Sequence, residues 1–444
     1  MTGILQTNNG IIKTTNDGVL LSHLYFNINP DDFFTDKAIA NSLGSSIIYP
    51  RFLYDSISNK TYFVFQGYDH GYYTLLDPAI MSYDHSSKEL SGPVFIGKNP
   101  LSNKDAHGDP AILLDDEGHF HVFYGSHTSE QQYAYSTNPR DINSWEDRTG
   151  RLDGACTYPV IFQVDDGSLF LFNRYDWYSY GYYKSTDRGK NWNGRNIILN
   201  FDGNYHQAYG DTVYTKQNDT ERIHRSFCWR TAVADFQGGN RFDVYYMYLD
   251  VATEKIYNIN DEECAINDEQ KMLLFETKYD YPTNKPCLNI INNKPYIIFP
   301  YAKNGDTDYC YLHFLYWDGE KWVGPNQITD TPTGLFSSPS FILHSENELT
   351  ALLSVYPGGD PNLGNNRGGN LEEWSWKDGV WSKIRDVLTV DQITDNGSVL
   401  CIGSYSVCSE LQYLLGEYDV DDRNSATIDN KIWGYGKYGT TPLK

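Results

Sequence analysis

The chain has 444 residues, and its 58 acidic and 35 basic side chains give a formal net charge of −23. A charge this negative excludes binding of nucleic acid or an anionic membrane through the overall field, so a polyanionic ligand would need a local basic patch. The 40% hydrophobic content argues against disorder, and no apolar run approaches the roughly 18 residues of a membrane helix. We therefore expect no nucleic-acid partner and no membrane partner.

The composition favours strands. Tyr, Phe and Trp occur 37, 21 and 10 times, whereas Met occurs only 4 times. Aromatic and β-branched residues fit a pleated, half-buried surface better than they fit a helix. The 7 Cys are an odd number, and none of them forms a CxxC pair, so no disulfide framework is expected in a chain of this length.

One pattern recurs along the chain: a β-rich run, a short polar turn with Gly, Asn or Asp, and a second β-rich run. Such units are hairpins. In chain order, their predicted turns lie near Asn59, Gly118, Gly167, Asn218, Asn293, Asn347 and Asn396. All but one of the steps between turns are roughly 50–60 residues, the spacing of propeller blades. The sequence predicts an all-β, seven-bladed β-propeller in a single domain, 1–444, whose ring is closed jointly by the two ends of the chain.

A second motif follows the third hairpin. Ser185, Asp187, Gly189 and Trp192 form the pattern S-x-D-x-G-x-x-W. Weaker copies lie at residues 317–322 and 376–381. The pattern resembles the Asp box, or BNR repeat, at outer-strand turns of sialidase-like propellers. Because that motif is structural, it supports the fold and not a function.

Polar side chains mark the hairpin ends opposite the turns. His107 precedes the first strand of the second hairpin and His127 follows its second strand. Tyr158 and Arg174 hold the corresponding places in the third hairpin, and Tyr209 heads the fourth. Because these positions are the open ends of neighbouring hairpins, we expect all five side chains to meet on one face of the ring.

This set of side chains suits one kind of polysaccharide cleavage. Glycoside hydrolysis usually requires two carboxyl groups beside the bond, and no such pair is evident. β-Elimination beside a uronic acid needs donors that neutralise the carboxylate, a base for the C5 proton and an acid for the leaving oxygen. Arg, His and Tyr can supply these functions. The residues therefore indicate a polysaccharide lyase that needs no cofactor for catalysis.

The same residues resemble the site of the β-propeller ulvan lyases, which cleave an algal polysaccharide of sulfated rhamnose and uronic acids. The likeness lies in His107, within His-Gly-Asp-Pro, with His127, and in Tyr158 with Arg174. The resemblance implies that Tyr158 and His107 are the catalytic base and acid, without fixing which is which. It implies that His127 and Arg174 bind and neutralise the uronate.

A further substrate-binding tyrosine of those lyases is matched here to Tyr209, with Tyr205 and Tyr214 as alternatives. The function that the resemblance implies is cleavage of an ulvan-type polymer with formation of an unsaturated uronyl end, by a secreted or periplasmic monomer. Two other classes stay open: a glycoside hydrolase of sialidase-like or rhamnose–glucuronate type on the same fold, and a carbohydrate-binding propeller without catalysis. A lectin would repeat one motif in every blade, whereas these residues are confined to hairpins two to four.

A structural zinc site is a separate hypothesis. His224 and Cys228 lie four residues apart in a predicted strand, which places both on one face. Cys264 follows in the longest gap between turns. Imidazole and thiolate are the usual zinc ligands, but the set is incomplete, and buried free thiols are the competing interpretation.

Five other residues have polar side chains near the predicted hairpins. His70 ends the first hairpin and is a candidate substrate contact, and Arg51 and Arg367 are candidate contacts to a sulfate or a carboxylate. His119 and His121, next to the second turn, are predicted to be structural.

Overall fold

The structure is a computed structural model. It describes residues 4–7, 10–15, 18–20, 30–39, 51–67, 77–101, 105–176, 179–200, 207–230, 241–277, 281–363, 368–392, 398–402, 411–418, 428–436 and 439–440. Within these ranges, no helix is long and apolar enough to cross a membrane. The helical elements among the described residues are one short helix, α1 (Glu269–Met272), and four 3-10 turns at Ala106–Gly108, Pro357–Gly359, Pro361–Leu363 and Val390–Gln392.

The strands form seven antiparallel blades in a ring, which confirms the predicted β-propeller. Three short strands precede the ring: β1 (Ile4–Thr7), β2 (Gly10–Thr15) and β3 (Gly18–Leu20). They are followed by β4 (Thr35–Ile39). Blade 1 contains β5 (Phe52–Asp55), β6 (Lys60–Gly67), β7 (Asp77–Asp84) and β8 (Glu89–Phe95). Blade 2 contains β9 (Ala111–Leu114), β10 (Phe120–Tyr124), β12 (Gln132–Ser136) and β13 (Trp145–Asp147), while β11 (Ser129–Glu130) joins the sheet of blade 3.

Blade 3 contains β14 (Ala155–Gln163), β15 (Leu169–Tyr175), β16 (Ser179–Ser185) and β17 (Asn193–Asn200). Blade 4 contains β18 (Gln207–Gln217), β19 (Thr220–Arg230), β20 (Arg241–Asp250), β21 (Lys255–Tyr257) and β22 (Leu273–Phe275). Blade 5 contains β23 (Cys287–Ile291), β24 (Lys294–Tyr301), β25 (Tyr311–Trp317) and β26 (Trp322–Gln327). Blade 6 contains β27 (Ser340–Ser345), β28 (Glu348–Val355), β29 (Asn370–Lys377) and β30 (Val380–Leu388). Blade 7 contains β31 (Ser398–Ile402), β32 (Tyr413–Tyr418), β33 (Ile428–Gly436) and β4, with β34 (Gly439–Thr440) beside β33.

The first strands of the blades line the centre of the ring. In blades 1 to 3 and again in blades 4 to 6, the first strand of each blade contacts the first strand of the next. The middle strands are buried on both faces because each blade is covered by its two neighbours. All five residues of β10 and all seven of β15 are buried, which is why β10 (FHVFY) and the start of β15 (LFLF) are mostly apolar and do not alternate between apolar and polar residues. Each fully buried Phe or Leu contributes about 1.5–3 kcal/mol.

Six of the seven predicted hairpin turns are confirmed by strand pairing. At five of them the predicted turn residue has a positive φ, which Gly and Asn adopt more readily than other residues. These residues are Asn59, Gly118, Gly167, Asn218 and Asn293. The polar turn residues therefore end each strand where the sequence places the turn.

The seventh turn prediction is wrong. Asn396 itself lies outside the described residues, but Ser398–Ile402 pairs with Tyr413–Tyr418. The run after 396 is thus the first strand of its hairpin and not the second, because its partner is the later strand β32. Ring closure follows the expectation, since β4, from the start of the chain, pairs with β33 as the outer strand of blade 7.

The predicted Asp box connects β16 to β17. Ser185 Oγ accepts a hydrogen bond from the Gly189 amide at 2.8 Å, and Asp187 Oδ1 accepts one from the Asn191 amide at 2.8 Å. Trp192 packs edge-on against Phe123 of the preceding blade. The motif closes an outer turn and joins two blades, so it is structural as predicted.

Candidate active site

The five predicted side chains meet at the open ends of blades 2, 3 and 4. His107 sits in the 3-10 turn before β9, and its ring centroid lies 5.3 Å from that of Tyr158. The Tyr158 ring lies 5.8 Å from that of Tyr209, and Arg174 Nη1 donates to the Tyr209 hydroxyl at 3.1 Å. His127 stacks on His107 with ring centroids 3.5 Å apart. The five side chains therefore meet on one face, as the open ends of neighbouring hairpins predict.

Asp105 holds the two imidazoles together. Its Oδ1 bonds His107 Nδ1, and its Oδ2 bonds His127 Nδ1 at 2.6 Å. The two rings lie within 7° of parallel. Because an ionised carboxylate only accepts hydrogen bonds, both Nδ1 atoms carry a proton. Proton exchange with a substrate must then pass through Nε2 of either ring.

The charges of this group favour a neutral His107. Burial lowers the pKa of His107, and the nearby His127 and Arg174 lower it further, which outweighs the attraction of Asp105. Burial alone would raise the pKa of Asp105, but the hydrogen bonds from the two histidines hold it well below its ordinary value. His107 is thus a neutral imidazole near neutral pH, with its proton on Nδ1 and its Nε2 able to accept one, the state that a general base needs.

A carboxylate with two imidazoles can also hold a divalent cation. The three potential ligand atoms of Asp105, His107 and His127 lie within 4.8 Å of one another. Each Nδ1 donates to a different oxygen of Asp105, however, and the two rings are parallel. The lone pairs on the two Nε2 atoms therefore run side by side and do not converge on one point. This geometry matches a carboxylate that orients two histidines better than it matches a metal centre.

Tyr158 lies in a strained piece of backbone. The register between β14 and β15 shifts between Thr157 and Val160, so one extra residue bulges from β14. Within this bulge Tyr158 has φ of 63°, a conformation uncommon for an aromatic residue. Bulges re-aim side chains near active sites, and strain of this kind persists where the surroundings impose it. The bulge directs the Tyr158 ring toward His107.

Arg174 lies beneath the two tyrosines and not at the surface. Its Nη2 donates to Thr157 Oγ1 at 3.2 Å, and its guanidinium carbon lies 4.8 Å from the Tyr158 ring centroid. Arg174, Tyr209 and Tyr158 are 3%, 4% and 8% exposed, whereas the side chains of His107 and His127 are about one-third exposed. The site has an outer layer of histidines and an inner layer of arginine and tyrosines.

The two tyrosines differ in acidity. Burial would raise the pKa of Tyr209, but Arg174, Arg241 and Arg230 outweigh it and lower that pKa. Burial raises the pKa of Tyr158, and the neighbouring Tyr209 raises it further. The arginines therefore lower the pKa of Tyr209, while Tyr158 stays a protonated phenol.

Sequence reasoning missed four residues of this site: Asp105, Thr157, Arg230 and Arg241. Asp105 stands two residues before His107, and an Asp-x-His pair was a usable signal. Arg241 lies 4.2 Å from the Tyr209 ring centroid, but nothing in the sequence connects those two residues.

The structure also tests several of the other residues that the sequence singled out. Arg51 is not at the surface: it forms a fully buried ion pair with Asp109 at 2.5 Å between blades 1 and 2, so the prediction of a substrate contact is wrong. His121 is structural as predicted, since both ring nitrogens bond buried partners, and His119 bonds the Ser136 carbonyl. Tyr214 bonds Glu221 near the turn of its hairpin, away from the site. His70, Tyr205 and Arg367 lie outside the described residues.

The three proposed zinc ligands do not come together. His224 and Cys228 do share one strand, but four residues along a strand span about 13 Å, too far for one ion. His224 Nδ1 bonds the Tyr246 hydroxyl at 2.6 Å, and its Nε2 bonds Thr215 Oγ1 at 2.9 Å. Cys264 packs in a different hydrophobic cluster from Cys228. The geometry gives these residues structural roles. The zinc hypothesis is wrong because two residues on the same face of a strand can still lie too far apart along it to share one ion.

Comparisons with known proteins agree with this fold. The BNR repeat-containing family matches residues 79–327, and the chain belongs to this family. An ulvan lyase of Alteromonas sp. (strain LOR) is 26% identical over 461 residues, covering 93% of this chain and 88% of the relative. Ulvan lyase-PL25 of Pseudoalteromonas sp. (strain PLSV) is 25% identical over 341 residues, covering 67% of each chain.

A solved structure extends the likeness to the whole fold. The polysaccharide lyase PL25 ulvan lyase, bound to -[GlcA(1-4)Rha3S]-, superimposes with a TM-score of 0.76 at 21% identity. The match covers 92% of this chain and 96% of that protein. The predicted resemblance to the β-propeller ulvan lyases is confirmed.

Proposed function

We propose that this protein is a polysaccharide lyase that cleaves an ulvan-type polymer by β-elimination at the uronic acid. One observation carries the proposal: a carboxylate-oriented histidine pair contacts a buried Tyr–Tyr–Arg cluster at the open face of the ring. Ulvan lyases are also the relatives that match most of the chain. Such a polymer is encountered outside the cytoplasm, in keeping with a secreted or periplasmic enzyme.

His107 and Tyr158 are the proposed proton carriers. Nε2 of the neutral His107 takes the C5 proton of the uronate. The electrons of that C–H bond form the C4–C5 double bond as the C4–O4 bond breaks. The Tyr158 hydroxyl gives its proton to the leaving oxygen. The imidazolium then returns the proton to the Tyr158 phenolate, and the two rings are close enough for this exchange through one water.

The remaining residues bind and prepare the substrate. His127 lies in the outer layer, where the uronate can reach its Nε2. Because its Nδ1 already donates to Asp105, it binds the carboxylate as an imidazolium that donates from Nε2. Arg174, held by Tyr209 and Thr157, supplies positive potential from below. That potential stabilises the negative charge that develops on the carboxylate as C5 loses its proton. Tyr209 accepts a hydrogen bond from Arg174 and so transmits part of this positive potential toward Tyr158. The Tyr209 ring also packs edge-on against the Tyr158 ring and fixes the orientation of that ring.

Ultraviolet absorbance tests the proposal directly. The protein, treated with a chelator, is incubated with ulvan, and the absorbance of the conjugated uronyl product is followed. We expect a rising signal that the chelator does not change. Formation of new reducing ends without this absorbance would show that the protein is a hydrolase and not a lyase. A signal lost with chelator and restored by a divalent cation would assign a metal to Asp105, His107 and His127.

A further inference from the structure

Two arginines face each other at the open end of blade 4. Arg230 ends β19, Arg241 begins β20, and the two residues are direct cross-strand partners. Like charges directly opposite one another destabilise an antiparallel pair. Both side chains are partly exposed, and both act on Tyr209 of the active site. A chain with net charge −23 has thus placed two cations together at the edge of its site.

Arg241 is held in a way that suits an oxyanion. Its guanidinium carbon lies 4.2 Å from the Tyr209 ring centroid and 5.2 Å from that of Phe336. Aromatic rings bind the flat faces of a guanidinium, so the in-plane N–H donors of its edge are left for a planar or tetrahedral oxyanion. Among the residues that the structure describes, no carboxylate forms an ion pair with Arg241.

Arg222, at the opposite end of the same strand pair, shows the contrast. Its guanidinium carbon also lies over a ring, 4.1 Å from the Tyr248 centroid. Arg222, however, forms an ion pair with Asp261 at 3.2 Å. Within the described part of the chain, the stacked Arg222 at the turn end is therefore neutralised by a carboxylate, whereas the stacked Arg241 at the active-site end has no such ion pair.

We propose that Arg241, with Arg230 beside it, forms an anion subsite that binds the sulfate ester on the sugar next to the uronate. The inference rests on the proposed function. Arg174 contacts the hydroxyl of Tyr209 and Arg241 covers its ring, so the two cations lie about one tyrosine side chain apart. Two cations on one tyrosine side chain can each bind a separate acidic group of one oligosaccharide. The relative's bound oligosaccharide alternates a uronate with a sulfated sugar. A carboxylate of another uronate has similar chemistry and is the alternative that the experiment distinguishes.

The test compares Arg241→Gln with the wild type on ulvan and on chemically desulfated ulvan. On ulvan we expect KM to rise about tenfold, the loss that one charge-assisted hydrogen bond produces. On the desulfated polymer the wild type should already have the higher KM, and the substitution should change it less than twofold. Arg222→Gln, the matched control, should change neither value.

Two results would overturn the inference. Equal losses on both polymers would assign Arg241 to a carboxylate, and an unchanged KM on both would remove the subsite. Arg241→Lys retains the charge without the planar guanidinium and serves as the second variant if Arg241→Gln does not fold. Its affinity for ulvan should lie between that of Arg241→Gln and that of the wild type.

Direct binding separates this inference from the proposed function. Calorimetric titration of the wild type and Arg241→Gln with sulfated and desulfated ulvan oligosaccharides does not depend on turnover. If the wild type gives no unsaturated product but still prefers the sulfated oligosaccharide through Arg241, the lyase fails and the subsite stands. If product forms without such a preference, the lyase stands and the subsite fails.

Discussion

Blade 2 contains two Asp–His clusters, one at each end of its hairpin. At the turn end, Asp115 Oδ2 bonds His121 Nε2 at 3.1 Å, and the Tyr133 hydroxyl bonds His121 Nδ1 at 2.7 Å. His121 and the Asp115 side chain are fully buried. At the open end, Asp105 holds His107 and His127, whose side chains are about one-third exposed.

The two clusters use the same groups for different purposes. In the buried cluster both nitrogens of His121 are occupied by the protein, so the hydrogen bonds contribute to stability alone. In the open cluster each Nδ1 is occupied by Asp105, which leaves proton exchange to Nε2. A histidine beside an aspartate is therefore not a functional signal by itself; exposure and the next neighbour, here Tyr158, distinguish the two.

Tyr158→Phe should have the largest effect. Losing a general acid costs roughly 10²–10⁴ in rate, so kcat on ulvan should fall at least about a hundredfold while KM changes little. The kinetics are followed by the ultraviolet absorbance of the product. Tyr133→Phe is the matched change in the buried cluster. It leaves His121 Nδ1 without its partner, which should lower the free energy of unfolding by about 1–3 kcal/mol and leave kcat intact. Full activity of Tyr158→Phe would remove Tyr158 from the mechanism.

Asp105→Asn should have a smaller effect on rate and a distinctive effect on pH dependence. Asp105 acts through the histidines as a positioning residue, and its loss should lower kcat on the order of tenfold to a hundredfold. The carboxylate raises the pKa of His107 against burial, so its removal lowers that pKa further. Since His107 must be neutral to accept a proton, the acid limb of kcat/KM should move to lower pH.

The matched variant for this test is Asp115→Asn. It should reduce stability, because Asp115 accepts hydrogen bonds from His121 and from the His119 amide, but it should leave the pH profile in place. Asp105→Glu should restore part of the rate. An acid limb that stays in place in Asp105→Asn would mean that His107 is not the titrating base.

The sequence predicted more of the fold than of the site's electrostatics. Turn residues such as Asn59 and Gly167 have a local conformational preference that can be read from the chain. The seventh hairpin failed because the run after 396 is equally suitable as a first or second strand, and only pairing with β32 decides. Blade geometry was also sufficient to bring His107, Tyr158 and Arg174 together.

What the sequence could not provide depends on contacts between residues that lie far apart in the chain, both within a blade and between blades. Arg241 acts on Tyr209 and Phe336, which lie far from it in the chain. The lowered pKa of Tyr209 requires three arginines from two blades. The zinc hypothesis failed for a different reason. The alternation of side chains along a strand places His224 and Cys228 on one face, but it does not take into account the distance between them along the strand.

His224 is a third histidine for this comparison: it is buried, and both of its ring nitrogens bond hydroxyl groups and not a carboxylate. Its substitution should have the smallest effect of those considered. Burial lowers the pKa of His224 to about 3. Below pH 6.5 the unfolded chain binds a proton at this residue and the folded protein does not. The free energy of unfolding should therefore fall by about 1.4 kcal/mol for each pH unit between 6.5 and 3. His224→Gln removes this dependence and should cost about 1 kcal/mol at pH 7 through its altered hydrogen bonds. Urea unfolding at pH 7 and pH 5 should then show the variant less stable than the wild type at pH 7 and at least as stable at pH 5. Parallel losses at both pH values would mean that His224 takes up a proton in the folded protein, in spite of its burial.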